Sequence, residues 1–172
     1  SVSEGTVCNI LSDCAERCNL LVPELKRHVT ASDIVHFDET GIRVKGKVHW
    51  AHTASTEQVT LISSHPRRGV EGILAGGVLN QFEGVAVHDC WSSYYNEQFN
   101  TATHAVCGAH IDRELEGVIQ NSKQRWARSM QKLLETLYKT KRELMEQGIG
   151  CAPKEMQADF SRQYDRILER AF

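Results

Sequence analysis

The distribution of apolar and polar positions changes period several times along the chain. Val7, Ile10, Leu11, Cys14, Cys18, Leu21, Val22 and Leu25 recur at helical spacing, which predicts helix over residues 3–29. Pro23 kinks or ends the first helix and starts a second. Residues 30–33 break the pattern. From residue 34 the period shortens: residues 34–38 form a short β-type run, and residues 42–44 continue it after Gly41. Lys45-Gly46 predicts a turn, residues 47–53 alternate as a second strand, and residues 59–63 read as a third. These three pieces predict an antiparallel meander.

Val70, Ile73 and Leu74 share a helical face, and Gly76-Gly77 fits a C-terminal stop. Residues 84–88 form a continuous apolar run suited to a central strand, and Asp89 follows directly. Residues 91–99 predict one short helix, residues 103–107 a fifth strand, and the chain turns helical from Ala109. Beyond it, Trp126, Met130, Leu133, Leu134, Leu137 and Leu144 make one apolar stripe, and Met156, Phe160, Tyr164, Ile167, Leu168 and Phe172 another. The Gly/Pro loop at 148–153 between them predicts a helical hairpin. Three strands, a helix, a strand, a helix and a strand is the element order of an RNase H-like fold. The expected class is therefore α/β: a mixed sheet with flanking helices, an N-terminal helical segment (1–32), a core (33–120) and a helical hairpin within 121–172.

Composition adds bounds. At 172 residues, 41% hydrophobic and 24% charged, the chain can bury one real core. No apolar run is long enough for a membrane span. No basic stretch followed by an apolar one opens the chain, so no signal peptide is expected, and the missing initial Met suggests a piece of something longer. Six scattered cysteines suggest a reducing, cytoplasmic setting. A formal charge of −2 argues against a domain whose whole surface clamps nucleic acid, but not against catalysis by carboxylates.

Asp38 and Asp89 each close an apolar strand run. If the first and fourth strands are neighbours, their carboxylates emerge together. Two hard oxygen donors at adjacent strand ends suit divalent ions that leave room for phosphate and water. The same pattern also reads as turn or helix-cap aspartates. Cys107 and His110 sit at a strand-to-helix junction and supply two of the four ligands a structural zinc wants, so a local architectural role competes with zinc. Cys14 and Cys18, with His28, are read as buried apolar positions rather than ligands. Lys123, Arg125, Arg128, Lys132, Lys139, Lys141 and Arg142 fit either a phosphate-binding helix or a solvated face. Arg67 and Arg68 beside Gly69 are candidates for contact with DNA backbone. His49, Trp50 and His52 are read as packing.

Four motifs stand in order: Asp38-Glu39-Thr40; His65-Pro66-Xaa-Arg68-Gly69; His88-Asp89-Xaa-Trp91-Xaa-Ser93-Tyr94; and Cys107-Xaa-Ala109-His110-Xaa-Xaa-Arg113-Glu114-Leu115. Together they resemble the transposases of the insertion-sequence-66 family across roughly residues 3–120. The resemblance implies an RNase H-like DDE transposase in which two Asp and one Glu hold two Mg²⁺ (or Mn²⁺) ions. Asp38 would be the first acid and Asp89 the second, both catalytic and metal-binding. The implied partners are transposon-end and target DNA, with a homo-oligomer assembled on the DNA. The implied third acid lies in an Asp-Asn-Asn-Xaa-Xaa-Glu-Arg segment absent here, so the chain reads as ending within a helical insertion that starts near 121, and as inactive alone. Glu114 is a possible stand-in, read instead as structural and paired with Arg113 or His110. The rival readings are another RNase H-like nuclease, which would cleave without joining, and a non-catalytic DNA-binding or assembly module.

Overall fold

The computed structural model describes residues 2–171, and the chain divides into two units, residues 1–107 and 108–172. The first begins with α1 (Glu4–Asn19), whose N-cap Ser3 accepts a hydrogen bond from the Thr6 amide, and α2 (Val22–Thr30), which carries Pro23 in its first turn. Both helices match the sequence pattern. The apolar stripe of α1 does not: the helix buries no residue, and Cys14 and Cys18, expected to be buried, are exposed with their sulfurs 4.0 Å apart. This segment packs chiefly on α2, so helical spacing reports a face here but not its covering.

The sheet follows: β1 (Ile34–Val44), β2 (Lys47–Ser55), β3 (Thr60–His65), β4 (Val85–His88) and β5 (Thr103–Val106). The first run continues past Gly41 as expected, in one strand of 11 residues. Lys45 and Gly46 both have positive φ (50° and 77°) and join Val44 to Lys47 by a two-residue turn, whose twist matches that of the flanking strands. Strand order is β3-β2-β1-β4-β5, with β1–β2 and β2–β3 antiparallel and β1–β4 and β4–β5 parallel. That order and sense make the fold RNase H-like.

Alternation decides which residues are inside. On β1, Val35, Phe37 and Glu39 are buried while Ile34, His36, Asp38 and Thr40 are exposed. The buried face meets Ala54, Leu61 and Ala86 from neighbouring strands, and α3 (Val70–Gly76) with Val78, Leu79, Phe82, Tyr94 and Phe99 from the connections. α3 comes close to its neighbours. A Cβ on Gly72 would lie 2.2 Å from the Arg67 carbonyl and 2.4 Å from His52 Nε2, so only glycine fits. The single helix expected over residues 91–99 is instead two 3₁₀ turns, Ser92–Tyr95 and Glu97–Phe99. Asn96 between them is extended (φ −67°, ψ 144°) and caps the second turn through its side chain to the Gln98 amide.

The second unit is helical: α4 (Gly108–Ser122), α5 (Arg125–Glu146) and α6 (Lys154–Glu169). Leu115, Ile119, Ala127, Met130 and Leu133 form its core, with Trp126, Leu134, Phe160, Ile167 and Leu168 packed around it. The expected pairing of the last two helices is present, and α4 joins it. No helix of the described residues is long and apolar enough to cross a membrane.

Candidate active site

Asp38 lies on β1, and Asp89 directly follows β4. β1 and β4 pair in parallel with His36 opposite Val87. Asp38 lies two residues beyond that last paired position on β1, and Asp89 two residues beyond it, directly after the end of β4. Asp38 is exposed and Asp89 half-buried. Each uses one oxygen locally: Asp38 Oδ1 accepts from the Glu39 amide at 2.9 Å, and Asp89 Oδ1 from the Trp91 amide at 3.0 Å. Neither Oδ2 has a hydrogen-bond partner among the described residues.

On the opposite face of β1, one position along, Glu39 organises the surroundings. Its side chain is 1% exposed. Arg68 reaches Oε1 through Nη2 at 2.7 Å and Nε at 2.9 Å, and the Tyr94 hydroxyl donates to Oε2 at 2.5 Å. A buried carboxylate requires such pairing, since an uncompensated charge away from water is costly. The Arg68 guanidinium also lies over Trp91 at 4.2 Å and Trp50 at 5.1 Å, within cation–π range of both rings. Burial, the hydrogen bond to Glu39, and the charges of Glu39, Asp89 and Asp38 all raise the pKa of Tyr94, so the phenol stays protonated and donates. Glu39 therefore ties the strand bearing Asp38 to the connection that follows Asp89.

Behind that connection lies His88, fully buried and stacked on Tyr94 with ring centroids 4.2 Å apart. Its Nδ1 is 2.5 Å from the Asp89 carbonyl and its Nε2 is 2.8 Å from His104 Nδ1, while His104 Nε2 is 3.2 Å from the Phe99 carbonyl. Two neutral imidazoles hold two ring protons for these three contacts. Burial, the largest influence, pushes the His88 imidazolium below its ordinary range, against hydrogen bonding to the Asp89 carbonyl, which favours the charged form.

The other candidates separate clearly. Arg67 is an exposed side chain 3.7 Å from Glu71, and its carbonyl lies 3.2 Å from both His52 Nε2 and His65 Nδ1. Arg68 is engaged with Glu39. Trp50 and His52 pack, as alternation suggests. Cys107 closes the first unit and His110 opens the second, with His110 Nδ1 buried and lacking a partner among the described residues. Glu114 is exposed on α4 and forms no ion pair there among the described residues, so the expected pairing with Arg113 or His110 is not seen. No group of three or more His, Cys, Asp or Glu side chains gathers to hold a metal among the described residues. The donor set is thus two carboxylates with one spare oxygen each, which fits a divalent ion that keeps much of its water.

Sequence reasoning quoted Glu39, Trp91 and Tyr94 within motifs but gave them no role. The available signal was parity: Val35, Phe37 and Glu39 occupy alternate positions, so a strand that buries the first two buries the third.

The sheet order and sense define an RNase H-like domain, with Asp38 on β1 and Asp89 directly after its parallel neighbour β4. The sequence profile described as "Transposase IS66 family" matches residues 1–172, and the chain belongs to that family. No curated protein sequence matches it. Among solved structures, it is similar to the HTLV-2 integrase catalytic core domain in complex with magnesium in its trimeric form (TM-score 0.36, 12% identity, 53% of this chain and 74% of that one). The dimeric form gives TM-score 0.36 and 10% identity over 52% and 70% of the two chains. A simian T-cell lymphotropic virus intasome in complex with the PP2A regulatory subunit B56 gamma gives TM-score 0.34 and 14% identity over 54% and 43%.

Proposed function

We propose that this chain carries the first two acids of a DNA transposase that cleaves strands at element ends and joins them to target DNA. The observation that supports this most is the parallel pairing of β1 with β4, with Asp38 two residues past the last paired position on β1 and Asp89 two past it after β4. In the first step a water oxygen bonds to the scissile phosphorus and the bond to the 3′-oxygen breaks, freeing a 3′-hydroxyl. In the second, that hydroxyl attacks a phosphodiester of the target, and a target 3′-oxygen leaves.

Asp38 and Asp89 would hold Mg²⁺ or Mn²⁺ through their spare oxygens. Bound there, the metal would supply charge neutralisation at the phosphate and a more acidic water. Around that centre, the chain's own residues position. Glu39 keeps Asp38 and the Asp89 connection in fixed relation through Tyr94 and Arg68. Trp91 covers the guanidinium, and its amide orients the Asp89 carboxylate. The third acid that the family pattern implies is not gathered here, and we expect strand cleavage to require it. Arg67 is exposed and available to DNA backbone; Arg68 serves Glu39 instead. Assembly of more than one copy on DNA follows from joining two ends.

The test is a calorimetric titration with Mn²⁺ on the chain and on Asp38→Asn and Asp89→Asn variants, with folding verified by circular dichroism. Binding that disappears in both folded variants is expected. Binding that survives both substitutions would move the metal elsewhere and remove the basis for this reading. A nuclease that only cuts differs in a second assay: with a chain containing the third acid, it yields cleaved ends and no joined product.

A further inference from the structure

The β1–β2 hairpin runs past the rest of the sheet. β4 pairs with β1 only along Ile34–His36, and β3 ends opposite Trp50. Residues 41–49 therefore form a two-stranded ribbon with no neighbouring strand on either side, held by its own ladder from Gly41↔Trp50 to Val44↔Lys47. It leaves the sheet from the end of β1 that carries Asp38. At the rise of an extended strand, the turn lies about 20 Å beyond that carboxylate.

The charge of this ribbon is one-sided. Arg43, Lys45 and Lys47 are exposed, and no Asp or Glu occurs between residues 40 and 56. None of the three cations forms a salt bridge among the described residues. Parity places Lys47 and His49 on the face that carries Asp38, Arg43 on the other, and Lys45 at the tip. A chain with formal charge −2 thus concentrates positive charge on a thin arm beside its acid pair.

We propose that residues 41–49 are a DNA-contacting arm that engages the phosphate backbone of the duplex flanking the scissile site. This rests on the reading of DNA as substrate. A two-stranded ribbon has the width to enter a major groove, and three unpaired cations match phosphates rather than protein carboxylates. Lysines on an exposed strand also deter edge-to-edge pairing, and that role alone would leave DNA affinity untouched when they are removed.

The experiment measures fluorescence anisotropy of a labelled mixed-sequence duplex in EDTA, across a salt series. EDTA separates DNA binding from the metal site. The chain is compared with an Arg43→Gln, Lys45→Asn, Lys47→Gln variant; Asn suits the left-handed conformation at position 45. An Arg128→Gln, Lys132→Gln variant on α5 is the control. Each lost phosphate contact reduces the slope of log affinity against log salt by about 0.9, so the ribbon variant should be shallower by about 2 to 3 and bind at least about tenfold more weakly at low salt. The α5 variant should keep the parent slope. An unchanged slope in the ribbon variant, loss confined to the α5 variant, or no duplex binding by the parent overturns the arm. Ribbon-dependent binding in a chain whose Mn²⁺ site does not depend on Asp38 and Asp89 would leave the arm standing and remove the catalytic reading.

Discussion

Arg67 and Arg68 are neighbours with opposite fates. Arg67 projects into solvent beside Glu71, with both side chains more than 70% exposed. Arg68 neutralises a carboxylate that has no access to water. Truncating Arg68 to Ala strands Glu39 with only the Tyr94 hydroxyl. We expect a loss of about 2–3 kcal/mol in urea denaturation, below the full cost for a buried pair because the guanidinium is 39% exposed. Arg67→Ala should stay within about 0.5 kcal/mol of the parent. Equal losses for the two variants would mean that Glu39 does not depend on its ion pair. The same contrast bears on chemistry: a single arginine-rich dipeptide supplies one group for the interior and one for whatever approaches the surface.

Among the elements, α3 depends on a missing side chain. Gly72→Ala would force the Arg67 carbonyl and the His52 ring apart and break their contact, with an expected cost of about 1–3 kcal/mol seen as a lowered thermal midpoint. A midpoint equal to that of the parent would show that the β3–α3 connection yields freely. The strands were largely legible because alternation and turn chemistry are local: Lys45-Gly46 names its own turn, and Asp38 and Asp89 announce themselves by closing apolar runs. Gly41 does not interrupt the first strand, because it pairs with Trp50 inside the ladder and needs no special backbone. Residues 91–99 misled. Their aromatic spacing is helical, but Asp89 and Asn96 bond to backbone amides ahead of them and hold the segment in short turns. Glu39 was beyond sequence reasoning as a partner, since Arg68 and Tyr94 lie 29 and 55 residues away. Local pattern could show that it is buried, but not what neutralises it.

At the scale of the whole molecule, the two units have separate apolar cores. The second has Leu115, Ile119, Met130 and Leu133 at its centre, all from its own helices. Residues 108–172 produced alone should therefore give a helical circular dichroism spectrum and a sigmoidal thermal transition. A broad, featureless melt would mean that this helical unit depends on the sheet.

No disulfide links any of this, and five of the six thiols are exposed, three of them (Cys8, Cys14 and Cys18) on a helix that buries nothing. The molecule thereby carries its own footprinting reagent targets. Alkylation rates at α1 report directly on whether anything has come to rest there. The half-buried Cys107 at the end of β5 gives an internal slow standard in the same sample.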